Sequence, residues 1–423
     1  MKIGILGAGV SGLTCGLKLH EAGFDDITIF EKESVIGGLA ASSIVDEYVF
    51  DLHGGHVFNS KDSQIKEWVF SLLKRNRWKY QQRIAKILYK DKIINYPFEF
   101  SLSELEEDEA IDCLIDFLSP KPTRRPSDYY NWLRWRFGDA IAFKYMIPYN
   151  QKIWGEDLTQ IGIDWVEGKM PLPTPRQIIA SVVKKRFEEK DMPHARFYYP
   201  LKGGIQTLIN AIARGIKKYI ITEYEVEKIE KKGKKFIING EYKFDIVIST
   251  IHLNDLVSAI ATTPSKVLSA AGKLKNCILT TTLCKSPPTD ISWLYIPDKG
   301  ISTHRLVFQG NFSKFNCPNT DTSSVILETV GKVYPEQQIR EFNSKSRLTG
   351  FKLGDIIASA VSYGYIIYDR NHSKNLNIVN KYLDEYGIIR VGRFSERKYY
   401  NMDVCMRSAF NTVEKIIKKY KRL

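Results

Sequence analysis

Three kinds of apolar run alternate along the chain, and they predict different elements. Lys2 to Leu6 is a short apolar stretch, Val10 to Ala22 has helical composition, and Ile27 to Phe30 is β-branched. Together they predict a βαβ opening and the start of a parallel sheet. A helix is expected from about Lys61 to Arg77, followed by a strand pair at Ala85 to Leu88 and Lys92 to Asn95. Residues 101 to 190 read mostly as helices, with Pro120, Pro122 and Pro126 breaking two of them. Strand patterning returns at Ile229 to Glu230, Phe236 to Ile238 and Asp245 to Thr250. Several strands punctuated by Pro and Gly follow from 277 to 370, and predict an antiparallel sheet. Ile388 to Val391 and a helix from about Met402 close the chain with strand, turn and helix. No internal repeat or low-complexity tract appears.

Composition narrows the class. With 423 residues, 43% of them hydrophobic, the chain can bury a large core, which excludes disordered and collagen-like classes and favours two or three domains. The balance of 62 Lys+Arg against 48 Asp+Glu gives a charge of +14, a field that favours an anionic substrate. No apolar run reaches the ~18 residues of a membrane span, and the opening MKIGILGAGVSG lacks the build of a secretory signal. Cys15, Cys113, Cys277, Cys284, Cys317 and Cys405 form no metal-ligand spacing, so no metal site is expected, and reduced thiols in a cytoplasmic setting are. The basic segments Lys184 to Arg186, Lys228 to Lys235 and Lys415 to Arg422 read as solvated faces; weak attachment to an anionic membrane surface stays open, and nucleic acid is not expected as a partner.

The chemistry starts at Gly7-Ala-Gly9-Val-Ser-Gly12, a GxGxxG spacing set between a strand and a helix. Glycines there permit a tight turn and close approach of a diphosphate to a helix N-terminus. Glu31 ends the second strand 31 − 12 = 19 residues later, where a carboxylate accepts ribose hydroxyls. Gly37 and Gly38 add a second backbone approach, and Gly392-Arg393-Phe394 leads to Tyr399-Tyr400-Asn401-Met402-Asp403 at another helix start. Two approaches and a second helix N-terminus favour FAD over a nicotinamide dinucleotide.

At this point the chain resembles the UDP-galactopyranose mutase family, within the amine oxidase and protoporphyrinogen oxidase superfamily of FAD proteins. The resemblance extends from residue 1 to beyond 410. Phe50-Asp-Leu-His-Gly-Gly-His56-Val-Phe58 resembles the family's GGHV loop, Pro148-Tyr-Asn-Gln-Lys-Ile-Trp154 its PYNxKxW element, and Trp165-Val-Glu-Gly-Lys169 the start of its mobile lid. Tyr199-Pro-Leu-Lys-Gly203-Gly204 carries the superfamily's glycine pair, and His304-Arg305 through Asn311-Phe312-Ser313 resembles the strand YRxxxFxNYS. The pattern GRxxxxxYxNMD is present as Gly392, Arg393, Tyr399, Asn401, Met402 and Asp403. Three positions depart from the family: Lys169 stands where arginine is usual, Phe312 where tyrosine is expected, and His194 at a frequent asparagine position.

The resemblance implies an α/β fold, with a Rossmann-like FAD-binding domain of the glutathione-reductase type, a helical insertion and an antiparallel substrate sheet. The expected domains are 1–80, 195–255 and 385–423 for FAD, 81–194 for the helical insertion with its lid, and 256–384 for the sheet. It implies pyranose/furanose interconversion of a nucleotide sugar in cell-surface glycan precursor synthesis, with reduced FAD as nucleophile and an unidentified reductant maintaining it. His56, Arg305 and Arg393 are the candidate catalytic residues. Trp154, Lys169, His194, Arg305, Phe312, Tyr365 and Tyr399 are the candidate substrate contacts, with Arg305, Tyr365 and Tyr399 on the diphosphate and Lys169 closing from the lid. FAD contacts are assigned to Gly7, Gly9, Gly12, Glu31, Gly37, Gly38, Leu39, Gly55, His56, Val226, Gly392, Arg393, Asn401, Met402 and Asp403, while His53 is read as structural. An amine- or porphyrinogen-oxidising flavoenzyme and an idle flavoprotein subunit are the rival readings.

Overall fold

A computed structural model of the chain describes residues 1–90, 92–166, 170, 172–185, 195–319, 321–345 and 349–420. Ile3–Leu6 pairs in parallel with Ile27–Phe30 on one side and Ile246–Ser249 on the other, so its side chains are all buried. Parallel strands covered on both faces read as continuous apolar runs, which is why KIGIL and DIVIS carry no alternation. The sheet is completed by Ile220–Ile221 and Ile389–Arg390, so its five strands come from three separated stretches of sequence. Helices Val10–Glu21 and Met402–Tyr420 pack together against it, through a core that includes Leu13, Leu17, Met406, Phe410 and Val413. A three-stranded antiparallel sheet, Ile229–Lys232, Lys235–Ile238 and Tyr242–Phe244, sits beside it.

The second large sheet has seven strands, in the order Ile356–Ile366, Asn276–Ser286, Ser323–Val330, Arg305–Val307, Trp293–Tyr295, Ala85–Tyr89 and Lys92–Asn95. Its last two strands come from the stretch assigned above to the helical insertion. Trp293–Tyr295 pairs with residues 85–87 in parallel, so the sheet is mixed at that edge. The remaining described part of residues 101–185 is helical, with Glu107–Leu118, Tyr129–Phe137, Ile147–Trp154 and Pro175–Lys184 as its longer helices. The proline cluster does separate the first two. The expected helix at 61–77 is shorter, Ser63–Leu72, because Asp62 caps its start and the chain turns out at Leu73. Aromatic residues of the insertion, among them Trp132, Phe137, Tyr145 and Trp154, share one core with Tyr295, Val307, Phe312 and Ile326 of the sheet. That common core fixes the insertion against the sheet and leaves a cleft where both meet the parallel sheet.

Candidate functional site

The cleft has a volume of about 1900 Å³ and runs from the first glycine loop to the face of the seven-stranded sheet. Single-ligand pockets are usually roughly 300 to 1,000 Å³, so this one has room for a dinucleotide and a second ligand. At its first end the three fingerprint glycines do different work. Gly7 has φ +95, a left-handed conformation, and a Cβ on Gly12 would lie 1.9 Å from the Gly7 carbonyl oxygen. Gly9 is different: the nearest protein atom to a Cβ there is Gly38 Cα at 3.8 Å. Protein packing therefore requires Gly7 and Gly12, whereas Gly9 leaves space on the cleft side for a ligand backbone.

Glu31 is buried and anchored, accepting from Ala8 N at 2.9 Å and Glu33 N at 3.1 Å. Gly37 N donates to Ala8 O at 2.9 Å, bringing the two glycine turns side by side. Helix Val10–Glu21 and helix Met402–Tyr420 both start at the cleft, the second presenting Asn401, Met402 and Asp403. Unsatisfied N–H groups and the positive end of the dipole at each start suit phosphate oxygens. Arg393 Nε is buried and has no hydrogen-bond partner among the described residues, a donor left for a polar ligand. The space beside Gly9, the buried carboxylate and the two helix starts fit FAD.

Arg305 lies on the opposite wall. Antiparallel register sets it directly across from Glu328, and the pairing is intimate: Nε to Oε2 at 2.8 Å and Nη2 to the same oxygen at 2.5 Å. Glu328 is wholly buried, and its other oxygen accepts Gly55 N at 3.3 Å, tying Arg305 to the loop of His56. Burial opposes the charge on Arg305, but Glu328 overrides it and holds the guanidinium well above the usual arginine range. His56 donates Nδ1–H to Gly54 O at 2.7 Å, since a carbonyl only accepts. Burial pulls its pKa down to about 4, against that bond, so the ring is neutral at pH 7 with Nε2 unprotonated. Tyr365 and Tyr399 stack at 6.1 Å, and the Arg393 guanidinium lies 4.6 Å from the Tyr399 ring centre.

The cleft lining contains Gly7, Gly9, Glu31, Gly37, Gly38, Leu39, Gly55, His56, Val226, Arg305, Tyr365, Arg393, Tyr399, Asn401, Met402 and Asp403. Other candidates lie behind the lining. Trp154 is buried against Trp165 and Tyr365; Phe312, with no exposed surface, packs on Phe197, Tyr199 and Trp293. Gly12 and Gly392 pack against Gly7 and Ser11. Lys169 and His194 lie outside the described residues. His53, read as structural, lines the cleft, and burial lowers its pKa to about 4.

The sequence reading missed several lining residues. Arg83 lies 4.8 Å from the Trp293 ring centre, 5.6 Å from that of Tyr96, and donates to the Tyr295 hydroxyl. His252 stacks on Phe394 at 3.8 Å and lies tilted against Tyr363 at 4.1 Å. Neither sits in a spaced motif; only the strand order brings them to the cleft. Glu328 was legible in principle, since a lone acid in the apolar run SSVILETV needs a buried partner.

Residues 5–75 match the family model of the NAD(P)-binding Rossmann-like domain. Over 99% of this chain and 95% of the other, the structure superposes on a reduced UDP-galactopyranose mutase with a TM-score of 0.90 at 21% sequence identity. The chain has the UDP-galactopyranose mutase fold. A protoporphyrinogen oxidase-like protein from Exiguobacterium superposes less well, with a TM-score of 0.74 at 17% identity over 99% of each chain. A putrescine oxidase redesigned in its cofactor binding gives 0.64 at 12% identity, again over 99% of each chain. No described helix is long and apolar enough to cross a membrane.

Proposed function

We propose that the protein is an FAD-dependent nucleotide-sugar mutase that interconverts pyranose and furanose forms, as the enzyme named in its mutase-fold neighbour does for UDP-galactose. The observation that carries this reading is one continuous cleft in which a dinucleotide cradle faces a wall of Arg305, Arg393, Tyr365 and Tyr399. FAD would be held by the loops of Gly9, Gly37 and Asn401 with Glu31 at its ribose, and in reduced form it would supply a nucleophilic nitrogen for the anomeric carbon.

The chain's own tasks are binding and orientation. Arg305, fixed by Glu328, donates from a set position to a diphosphate oxygen, and the Tyr365 and Tyr399 hydroxyls donate beside it. Arg393, stacked on Tyr399, adds a permanent positive charge as the diphosphate takes up negative charge on leaving. His56 offers its unprotonated Nε2 as an acceptor and exchanges no proton near neutrality. Trp154 supports Tyr365 from behind.

Likeness to an oxidase fold over the whole chain favours one second reading, an amine or porphyrinogen oxidoreductase. The wall argues against an amine, because Arg83, Arg305 and Arg393 would repel an ammonium substrate. Anaerobic incubation of dithionite-reduced protein with a panel of nucleotide sugars, read by chromatography for furanose products, tests the proposal. Oxygen consumption with polyamines or porphyrinogens, and no furanose from any nucleotide sugar, would establish the oxidoreductase instead.

A further inference from the structure

Lys152, the lysine of the Pro148 to Trp154 segment, points away from the cleft into a cage of backbone carbonyls. Its Nζ donates to Ile296 O at 2.6 Å, Thr303 O at 2.7 Å and Asp298 O at 2.9 Å. An ammonium has three N–H donors and no acceptor, so the cage uses all of them. Among the described residues no carboxylate oxygen lies within ion-pair distance of it; Asp298 pairs with Lys345 at 3.3 Å instead. A buried charge without a paired carboxylate is costly unless several strong acceptors replace water. Burial does pull the Lys152 pKa down to about 7, against the attraction of Asp298 and Glu341.

The three carbonyls share one feature. They belong to the connection between strands Trp293–Tyr295 and Arg305–Val307, on both sides of its turn, and Arg305 follows Thr303 by two residues. The connection is further closed by Ile296 N to His304 O at 2.9 Å, and Ser302 N donates to Glu341 at 2.7 Å. Lys152 itself rides on helix Ile147–Trp154, whose last residue backs Tyr365. One cation therefore locks the helix behind Tyr365 to the turn that launches Arg305.

We propose that Lys152 is a positioning residue for the anion-binding wall: its carbonyl cage sets where Arg305 enters the cleft relative to Tyr365. This rests on the proposed nucleotide-sugar function. Lys152 touches neither cofactor nor substrate and acts through the turn. Removing its charge leaves the buried Ile296 and Thr303 carbonyls without a donor and Asp298 O with only Ile301 N–H at 3.4 Å, and the turn must move to rehydrate them.

The test is a double-mutant cycle read by uridine diphosphate titration of the FAD-loaded protein, using Lys152→Met, Arg305→Met and the combination. The expected result is a loss of about tenfold in affinity for Lys152→Met in the parent, equivalent to roughly 1.4 kcal/mol, with little further loss once Arg305 is gone. Flavin content should stay at the parental level, which a general loss of folding would not allow. Equal losses in both backgrounds, or unchanged affinity in Lys152→Met, overturn the proposal. If Lys152→Met does not fold, Lys152→Gln, which keeps two donors, carries the same cycle; failure of both makes Lys152 a residue of the fold alone and also overturns it. A parent that binds no nucleotide diphosphate sinks the proposed function instead, so the two failures are told apart by the control.

Discussion

Replacing Arg305 should produce two separable losses, one in folding and one in binding. Glu328 has no exposed surface, and Arg305 supplies both side-chain bonds to its Oε2. In Arg305→Met the carboxylate keeps Gly55 N–H at 3.3 Å, with the buried His304 Nε2 3.6 Å from Oε2. Stranding one member of a buried pair costs about 3 to 5 kcal/mol, and the Arg305 side chain, 23% exposed, admits enough solvent to favour the lower figure. Binding is a different quantity. Loss of a charge-assisted bond to a phosphate is worth roughly 1.5 to 3 kcal/mol, or about 10- to 100-fold at 1.4 kcal/mol per decade. The assay is thermal unfolding beside uridine diphosphate titration for Arg305→Met and for Arg305→Met with Glu328→Gln. The double variant should regain most of the stability, because the stranded charge is gone, yet bind as weakly as the single one. If restoring stability also restores affinity, Arg305 serves the fold and the clamp lies elsewhere.

Three further outcomes follow from the same geometry. Gly9→Val should yield folded but colourless protein that does not take up FAD, because the added side chain fills ligand space without meeting the protein; retained flavin absorbance would place the cofactor elsewhere. Catalysis should require reduced flavin and consume no reductant per turnover, so steady reductant consumption coupled to product would point to net redox chemistry. Affinity for uridine diphosphate should weaken as pH rises through about 7, where Lys152 loses a proton and one carbonyl its donor, with Asp298 and Glu341 raising that value and His304 beside it staying neutral. The inflection should vanish in Lys152→Met, and its persistence there would assign it to the ligand.

Local chemistry made the first half of the site legible. A strand, glycines at fixed spacing, a helix and an acid after the next strand lie within residues 1–31, so short-range rules fix that geometry. The opposite wall depends on register. Nothing near Arg305 in sequence announces Glu328, which arrives from a strand that begins 18 residues later and lands across from it by antiparallel pairing. Arg83 is more remote still, because the parallel pairing of 85–87 with Trp293–Tyr295 joins stretches assigned to different domains. Phe312 illustrates the converse limit. Motif position suggested a substrate contact, but an aromatic ring without a hydroxyl gains more from Phe197, Tyr199 and Trp293 than from a polar wall, and it is buried.

Charge in the cleft divides by kind. The permanent cation Arg305 is held in place by Glu328, and Arg393 by its aromatic neighbour. The imidazoles, by contrast, are kept uncharged: burial takes His53 and His56 to about 4 and His252 to about 3. Each therefore stays neutral from pH 5 to 8, and burial drives the Tyr365 phenol upward, so it remains a donor. A site that must withdraw a proton from a substrate needs a group whose pKa lies near the working pH, and these residues are tuned away from it. Fixed cations, neutral acceptors and the protonated Tyr365 phenol suit a reaction in which a diphosphate leaves and returns while the covalent step belongs to a bound cofactor. The same tuning has a consequence for folding. With folded values below the unfolded ~6.5, these histidines contribute stability that is complete above that pH and declines as it falls toward 4, so acid should loosen the cleft before it touches Arg305.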